Sequence, residues 1–307
     1  MIVDKSYSFR KRKSSRVVAQ ISGGLGNQLF QYTAGIFVSN KYGGNLLVEN
    51  RVYYRFRRKF NRNYELAGFN LSLTSATVLD SLFFLMYDIL ERTNLVNLLR
   101  PFSSIFIFVR SDFEYENVIL PDKPPRKIFL RGYFQNSEMA RSSELQLFGL
   151  LEAFTPKDLR YSTVKDFFRD REVVALCYRA YEETSNPSQY SMGSIKKASD
   201  YQKVVNELTQ QLIDPLFVVF STKAGDFLTS LELPKDAIFV TGNEGYADPI
   251  SNLWLMSHCK HFVFNNSTFY WWGAFLSKQN HINENQLIFA PDNFLNQGLP
   301  LKEWKIY

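Results

Sequence analysis

The alternation of apolar runs, turn residues and amphipathic segments along this chain predicts an α/β protein. Residues 17–21 form an apolar run typical of a buried strand, and residues 29–36 carry apolar side chains at close to helical spacing. Further apolar runs predict strands at residues 45–49, 127–135, 173–178, 216–220, 237–240, 261–264 and 286–290. Amphipathic segments predict helices at residues 137–148, 199–212 and 248–259. Residues 78–99 predict a buried or interfacial helix, because acidic and basic residues interrupt their apolar run.

The length of 307 residues allows two α/β lobes, and one large lobe is the alternative. Thr155 and Pro156 begin a charged helical segment that offers a boundary. We therefore expect a basic tail at residues 1–15, one domain at residues 16–160 and a second at residues 161–307.

The net charge of +6 is unevenly distributed, with basic clusters within residues 5–16 and 51–62. Basic clusters attract nucleic acids, anionic lipids or phosphorylated substrates, and a solvated tail and face are the alternative. No nucleic-acid-binding motif accompanies either cluster, so we expect no nucleic-acid partner. Peripheral contact with an anionic membrane through the basic N-terminus remains open.

The cysteine content and the N-terminal sequence indicate the cellular compartment of the protein. The two cysteines, Cys177 and Cys259, cannot form a disulfide framework or a zinc site. The basic N-terminus has no apolar segment behind it, so it does not resemble a signal peptide. These features predict a cytoplasmic protein, with contact at the inner membrane face as an option.

A glycine-rich turn follows the first predicted strand and opens the first predicted helix. It reads GGLGNQ, with Gly24, Gly26, Asn27 and Gln28 at the helix start. Glycines let a ligand approach the backbone, and the N–H groups of a helix N-terminus bind anions. The turn is neither a dinucleotide fingerprint nor a phosphate-binding P-loop, since no Gly-Lys-Ser/Thr closes it. We expect these four residues to bind a donor substrate; a tight turn without a ligand is the alternative.

A second helix start follows the strand predicted at residues 261–264. The sequence there is NNSTF, which places Asn266, Ser267, Thr268 and Phe269 at the turn. Hydroxyls and exposed N–H groups at a helix N-terminus favour an anion, whereas an ordinary N-cap by Ser267 or Thr268 is the alternative. These four residues are candidates for donor binding.

Polar side chains also stand at the carboxyl ends of two predicted strands, where ligands bind in α/β folds. Arg179 follows the strand at residues 173–178, and Ser221 follows the strand at residues 216–220. A guanidinium suits a diphosphate because it forks across phosphate oxygens and keeps its charge. The chain has no Asp-x-Asp metal motif and no cluster of histidines, so we expect no metal cofactor.

Two blocks of the sequence resemble a known family. The blocks GGLGNQLFQYTAG and NNSTFYWWGAFLS are similar to motifs of the family 11 glycosyltransferases, the α-1,2-fucosyltransferases. The resemblance implies a GT-B type α/β fold, with two facing Rossmann-like domains and a cleft between them. It also implies inverting, metal-independent transfer of fucose from GDP-fucose to a sugar hydroxyl of a bacterial surface glycan. That glycan would be of O-antigen or capsule type and could be lipid-linked.

The chain departs from this family at its third motif, usually HxRRGD, where it reads CYRAYE. Cys177 replaces the histidine and Arg179 keeps the first arginine, for which the family implies a grip on the diphosphate. Asn27 would face the diphosphate or the donor sugar from the other lobe. Glu182 is a candidate base for the acceptor proton, with a solvated loop charge as the alternative.

Asn252 stands where related fucosyltransferases carry an aspartate that pairs with guanine. An amide cannot accept both guanine N–H groups as a carboxylate does. Two alternatives to a fucosyltransferase therefore remain: the same scaffold with another nucleotide-sugar donor, and a non-catalytic nucleotide- or glycan-binding homologue.

Overall fold

The protein consists of two lobes, each built on a parallel β-sheet. The structure, a computed structural model, describes residues 15–56, 62–69, 71–111, 120–179, 196–222, 225–294, 296 and 298–307. Every strand pair within these residues is parallel, and the order within each sheet requires crossover connections. The predicted α/β class, with a Rossmann-like parallel sheet in each lobe, is confirmed.

The first sheet has the order β2-β1-β4-β3. Its strands are β1 (Arg16–Gln20), β2 (Asn45–Glu49), β3 (Phe106–Ser111) and β4 (Lys127–Gly132). Alternate side chains of a strand point to opposite faces of a sheet. Val17 and Ala19 accordingly pack in the core beneath α1 (Leu25–Tyr42), while Val18 packs on the other face with Phe84 of α2 (Val78–Arg92). The two helices therefore cover opposite faces.

The second sheet has the order β10-β9-β8-β5-β6-β7. Its strands are β5 (Glu172–Tyr178), β6 (Pro215–Ser221), β7 (Ile238–Thr241), β8 (His261–Phe264), β9 (Ile288–Ala290) and β10 (Lys305–Ile306). β5, β6 and β8 are buried almost throughout, as expected for central strands of a parallel sheet. The crossover order places the carboxyl ends of β5 and β8 side by side.

The remaining helices include the predicted ones, with bounds that differ at their ends, and one short helix at Asp226–Thr229 that was not predicted. They are α3 (Ser137–Arg141), α4 (Glu144–Glu152), α5 (Leu159–Asp166), α6 (Ala198–Gln211), α7 (Asp226–Thr229), α8 (Pro249–Ser257) and α9 (Thr268–Ser277). The single helix predicted at residues 137–148 is wrong, because two helices occupy that segment. The Ser142 hydroxyl donates to the Met139 carbonyl at 2.7 Å, which competes with helical backbone bonding at the break.

The segment predicted as one helix at residues 78–99 is also divided. α2 ends at Arg92, and a separate 3-10 helix covers Val96–Phe102. No helix in the described part of the chain is long and apolar enough to cross a membrane. The domain boundary predicted after residue 160 falls within α5, whose Arg160 donates to the Glu244 carbonyl at 2.8 Å in the second lobe.

The two lobes pack directly on each other through α1 and α9. The Phe30 ring of α1 lies 4.9 Å from the Trp271 ring and 4.8 Å from the Trp272 ring of α9, measured between centroids. All three side chains are completely buried. Aromatic contacts of this kind add to the free energy of burial, so the lobes share one core at this junction.

Candidate active site

The glycine-rich turn between β1 and α1 is held in place by hydrogen bonds to the Gly23 carbonyl oxygen. Gly23 has a φ of +77°, a left-handed conformation that favours glycine. Its carbonyl oxygen accepts hydrogen bonds from the Tyr54 hydroxyl at 2.8 Å and from Gln28 Nε2 at 3.0 Å. The turn is thereby fixed so that α1 begins at Leu25 with Gly24 as its N-cap.

α9 begins in the same way directly after β8. Ser267 is its N-cap residue in an extended conformation, but the Ser267 side chain accepts no capping hydrogen bond. The ordinary N-cap considered for Ser267 is therefore not formed. N–H groups at a helix start carry a partial positive charge that favours an anion.

The two helix starts meet at Gly26. A Cβ atom added at Gly26 would lie 2.5 Å from the Phe269 backbone nitrogen and 2.6 Å from the Thr268 carbonyl carbon. The Trp272 indole N–H donates to the Gly26 carbonyl at 3.0 Å. Only a residue without a side chain permits this approach, so Gly26 brings together two helix N-termini from different lobes.

Asn27 links three segments at this junction. Its Oδ1 atom accepts hydrogen bonds from the Thr268 hydroxyl at 3.1 Å and from Gln135 Nε2 at 3.2 Å. Thr268 belongs to α9, whereas Gln135 follows β4 in the first lobe. Because its oxygen is already engaged, Asn27 has its amide N–H groups left to offer a ligand.

Arg179 is positioned by the chain just before α9. The Asn265 side chain accepts from the Arg179 backbone N–H at 3.1 Å and donates to the Arg179 carbonyl at 2.8 Å. The Tyr270 hydroxyl donates to the carbonyls of Tyr178 at 3.0 Å and Phe220 at 3.3 Å. These bonds fix the carboxyl ends of β5 and β6 relative to α9, and they do so without using the Arg179 side chain.

A second arginine and a carboxyl group lie at the start of α1. The Arg62 guanidinium would be 3.7 Å from a Cβ atom added at Gly24. The Glu65 carboxylate accepts the Leu25 backbone N–H. Burial raises the pKa of Glu65; Arg62 and this hydrogen bond oppose the rise, and the carboxylate of Asp248 adds to it.

This junction is suited to bind a strongly negative group. The starts of α1 and α9 and the Arg62 guanidinium belong to it, and each favours negative charge. The Glu65 carboxylate already accepts from Leu25 at the start of α1, and the backbone of Arg179 is bonded to Asn265 just before α9. Among the residues that the structure describes, no group of three or more His, Cys, Asp or Glu side chains is arranged to hold a metal ion. The chemistry favoured here is stabilisation of a phosphate or diphosphate.

Comparison with known proteins decides the family. The family model described as "Glycosyl transferase family 11" matches residues 112–307, which is more than half of the chain. The chain belongs to glycosyltransferase family 11. It is therefore a glycosyltransferase, and the family expected from the sequence is confirmed. The match includes the second sequence block, and the first block lies before it. The alternative of a non-catalytic homologue is not supported.

Two relatives from Escherichia coli match most of this family 11 chain. One is named alpha-1,2-colitosyltransferase, with 25% identity over 85% of this chain and 88% of the relative. The other is named O-antigen biosynthesis glycosyltransferase WbnK, with 25% identity over 84% of this chain and 89% of the relative. Among solved structures, NodZ alpha-1,6-fucosyltransferase soaked with GDP-fucose matches at 12% identity and a TM-score of 0.49, over 86% of this chain and 93% of that one.

The structure brings several predicted site residues of this family 11 member together. Gly24, Gly26 and Asn27 form the start of α1, and Thr268 and Phe269 form the start of α9. The others lie around them: Asn266 and Ser267 directly before α9, and Arg179 and Ser221 at the carboxyl ends of β5 and β6. Their roles in donor binding stay a prediction.

Gln28 does not face the cleft, contrary to expectation. Its side chain is fully buried. Its Nε2 atom donates to the carbonyls of Asn63 at 2.8 Å and Gly23 at 3.0 Å, and its Oε1 atom accepts from the N–H groups of Glu65 at 2.9 Å and Leu66 at 3.2 Å. All its hydrogen-bonding capacity is used within the protein, so Gln28 holds the loop against α1.

The side chains of Cys177 and Asn252 make contacts within the protein. Cys177 is fully buried, with its thiol 3.8 Å from the Met256 sulfur, and burial raises its pKa. Asn252 accepts from the Tyr161 hydroxyl at 3.2 Å and donates to the Tyr246 carbonyl at 3.2 Å. In this conformation the Cys177 side chain cannot contact a donor, and the Asn252 amide is committed to α5 and the loop before α8.

Glu182 and residues 1–14 of the basic tail predicted at residues 1–15 lie outside the described residues. Two contributors were missed in the sequence: Asn265, which fixes Arg179, and Tyr270, which joins two strand ends to α9. Both belong to the block that carries the family resemblance. Asn265 directly follows β8 and Tyr270 lies in the first turn of α9, and these positions were the signal that could have found them.

Proposed function

We propose that this family 11 enzyme transfers fucose from GDP-fucose, with inversion and without a metal, to a sugar hydroxyl of a bacterial surface glycan. The observation that carries the proposal is the junction of two helix N-termini at Gly26, with Arg179 fixed beside it. Each of these groups stabilises negative charge. The nucleoside diphosphate that leaves a nucleotide sugar carries such negative charge.

Transfer at an anomeric carbon passes through an oxocarbenium-like state while negative charge develops on the departing diphosphate. Preorganised N–H groups and a guanidinium lower the energy of that state because they need no reorganisation. In this proposal Arg179 and the starts of α1 and α9 stabilise the leaving GDP. The Asn27 amide N–H groups orient the diphosphate or the sugar, and Thr268 and Gln135 hold that amide.

A base must remove the proton from the acceptor hydroxyl group. Glu182 stays the proposed base, three residues after Arg179 in the chain. The acceptor is proposed to be an O-antigen or capsule glycan, since one relative is named an O-antigen biosynthesis glycosyltransferase. A lipid-linked form of that glycan would place the enzyme on the cytoplasmic face of the inner membrane, where the basic N-terminal tail would meet anionic lipid.

A second candidate is transfer of another deoxy sugar from a different nucleotide-sugar donor. One relative is named a colitosyltransferase rather than a fucosyltransferase, which favours this alternative. The two candidates share the diphosphate site and differ in the donor.

Thermal unfolding in the presence of GDP, UDP, CDP and dTDP, and of their sugars, tests the proposal. A ligand at about 100 times its Kd adds about 2.7 kcal/mol to the free energy of unfolding, which raises the Tm by about 5 °C. We expect GDP and GDP-fucose to raise the Tm. A rise with another nucleotide alone would support the second candidate, and no rise with any of them would contradict both.

A further inference from the structure

α2 carries its charges on the inside and its aliphatic side chains on the outside. Asp80 is fully buried and pairs with Lys127 at 2.5 Å, and Asp88 is buried and pairs with Arg131 at 2.5 Å. Both cations belong to β4 beneath the helix. A surface helix of a water-soluble domain normally has the opposite arrangement. The outward face of α2 is therefore built for an apolar environment.

The outward apolar side chains continue beyond α2 and form what we call the outer apolar face. Its eight members are between 48% and 66% exposed: Val78, Leu79, Leu82, Ile89, Leu95, Leu98, Phe102 and Ile105. The 3-10 helix Val96–Phe102 packs against both α2 and β3, which makes the face continuous. Concentrated apolar surface of this kind marks contact with a membrane or a protein, whereas single exposed residues do not.

The charges around this face select its partner. Residues 71–105 contain five charged residues, and the two that are exposed are Arg92 and Arg100. The three carboxylates are paired inward, with Glu91 bonded to Arg110 and Arg131. The Arg110 side chain is itself 47% exposed. The two most exposed charges of this segment are therefore positive, and its one partly exposed carboxylate, that of Glu91, is paired with two arginines.

We propose that the outer apolar face docks the enzyme on an anionic lipid bilayer, with α2 lying in the plane of the interface. An amphipathic helix binds in this way by inserting its apolar side below the headgroups while arginines contact anionic lipid. α2 has 15 residues and is about 22 Å long, too short to span a hydrocarbon core of about 30 Å. A two-fold dimer through this face fits less well, because each arginine would approach the same positive face of the other copy.

The site geometry agrees with docking of this kind. α2 covers the face of the first sheet opposite to α1, and α1 contacts α9 of the second lobe. The outer apolar face therefore points away from the second lobe, and lipid contact leaves the junction at Gly26 uncovered. This surface is separate from the basic N-terminal tail.

Co-sedimentation of the full chain with lipid vesicles tests the proposal. The vesicles are phosphatidylcholine alone or phosphatidylcholine with phosphatidylglycerol, and each is used at about 0.1 and 0.5 M salt, since high salt screens the charges of the tail. The native protein is expected to bind the anionic vesicles and to keep part of that binding at high salt. Native protein that binds no vesicle, or that binds only at low salt, would overturn the proposal.

Two sets of variants assign the binding to this face. The triple variant Leu79→Gln/Leu82→Gln/Ile89→Gln is expected to lower the partition coefficient at high salt at least tenfold. A control of the same chemistry, Leu145→Gln/Leu159→Gln/Ile213→Gln, changes three apolar side chains that are more than 70% exposed elsewhere and should bind like the native protein. Equal binding by the first triple variant and the control would contradict the proposal.

The arginines supply an independent variant that leaves the apolar side chains intact. Arg92→Gln/Arg100→Gln should lower binding to anionic vesicles about tenfold at low salt and leave the Tm unchanged. Sedimentation velocity without lipid tests the remaining explanation, which is that a second copy of the protein covers this face. A concentration-dependent dimer that the first triple variant abolishes would show that a second copy, and not lipid, covers this face.

Discussion

Replacement of Arg179 by alanine is expected to lower the turnover of the donor by about 100- to 1,000-fold, because a guanidinium contact with the leaving diphosphate is lost in the transition state. The fold should persist, since the Asn265 side chain binds the backbone of residue 179 and not its side chain. Initial rates of donor consumption, together with the Tm, measure both effects.

Two further variants define the role of this guanidinium. Arg179→Lys keeps the charge but loses the forked geometry, so its turnover should fall between those of the native enzyme and Arg179→Ala. Arg169→Ala removes an exposed arginine before β5 and should behave like the native enzyme. An Arg179→Ala protein with native turnover would show that the diphosphate binds elsewhere.

Gly26→Ala is expected to lower the free energy of unfolding by about 3 kcal/mol and to abolish most of the activity. The new methyl group would collide with the Phe269 backbone nitrogen at 2.5 Å and the Thr268 carbonyl carbon at 2.6 Å. Backbone cannot rotate away as a side chain can, so α1 and α9 must separate. Chemical denaturation and donor turnover measure the two effects.

Gly149→Ala is the matched control for this substitution. Gly149 is an exposed glycine inside α4, and an added Cβ atom meets no atom within 4 Å. Alanine should stabilise this helix by about 0.5–1 kcal/mol and leave turnover unchanged. If Gly26→Ala were as stable and as active as Gly149→Ala, the close approach of the two helices would not be needed.

Much of the fold could be predicted from local sequence pattern. The strands that became β5, β6 and β8 are uninterrupted apolar runs, which is the pattern of strands buried on both faces. The glycine-rich turn and the Asn-Ser-Thr segment each mark a helix start through residues with a specific backbone role. That these two starts touch is a long-range property, and neither segment alone encodes it.

The site was harder to predict where two adjacent residues with the same functional group have different roles. Asn27 and Gln28 are adjacent amides, yet Asn27 reaches α9 while Gln28 turns inward to bind the loop before Leu66. Helix rotation by one residue separates their directions by about 100°. Only the packing of α1 against the loop decides which amide is buried.

Cys177 shows a related limit. It aligns with Phe264 and Phe220 on the two neighbouring strands, so the sheet still surrounds it. Arg179 lies past the end of β5. The register between strands determines where the sheet ends, and the sequence of one strand does not contain that register. The inverted polarity of α2 was missed because the buried Asp80 and Asp88 find their partners on β4, 47 and 43 residues later.

The most direct test of the account is a crystal structure of the protein with bound GDP. The account predicts that the diphosphate lies at the N-termini of α1 and α9, with a phosphate oxygen within hydrogen-bond distance of the Arg179 guanidinium. A diphosphate that contacts neither helix start would contradict it, whatever the affinity of the complex.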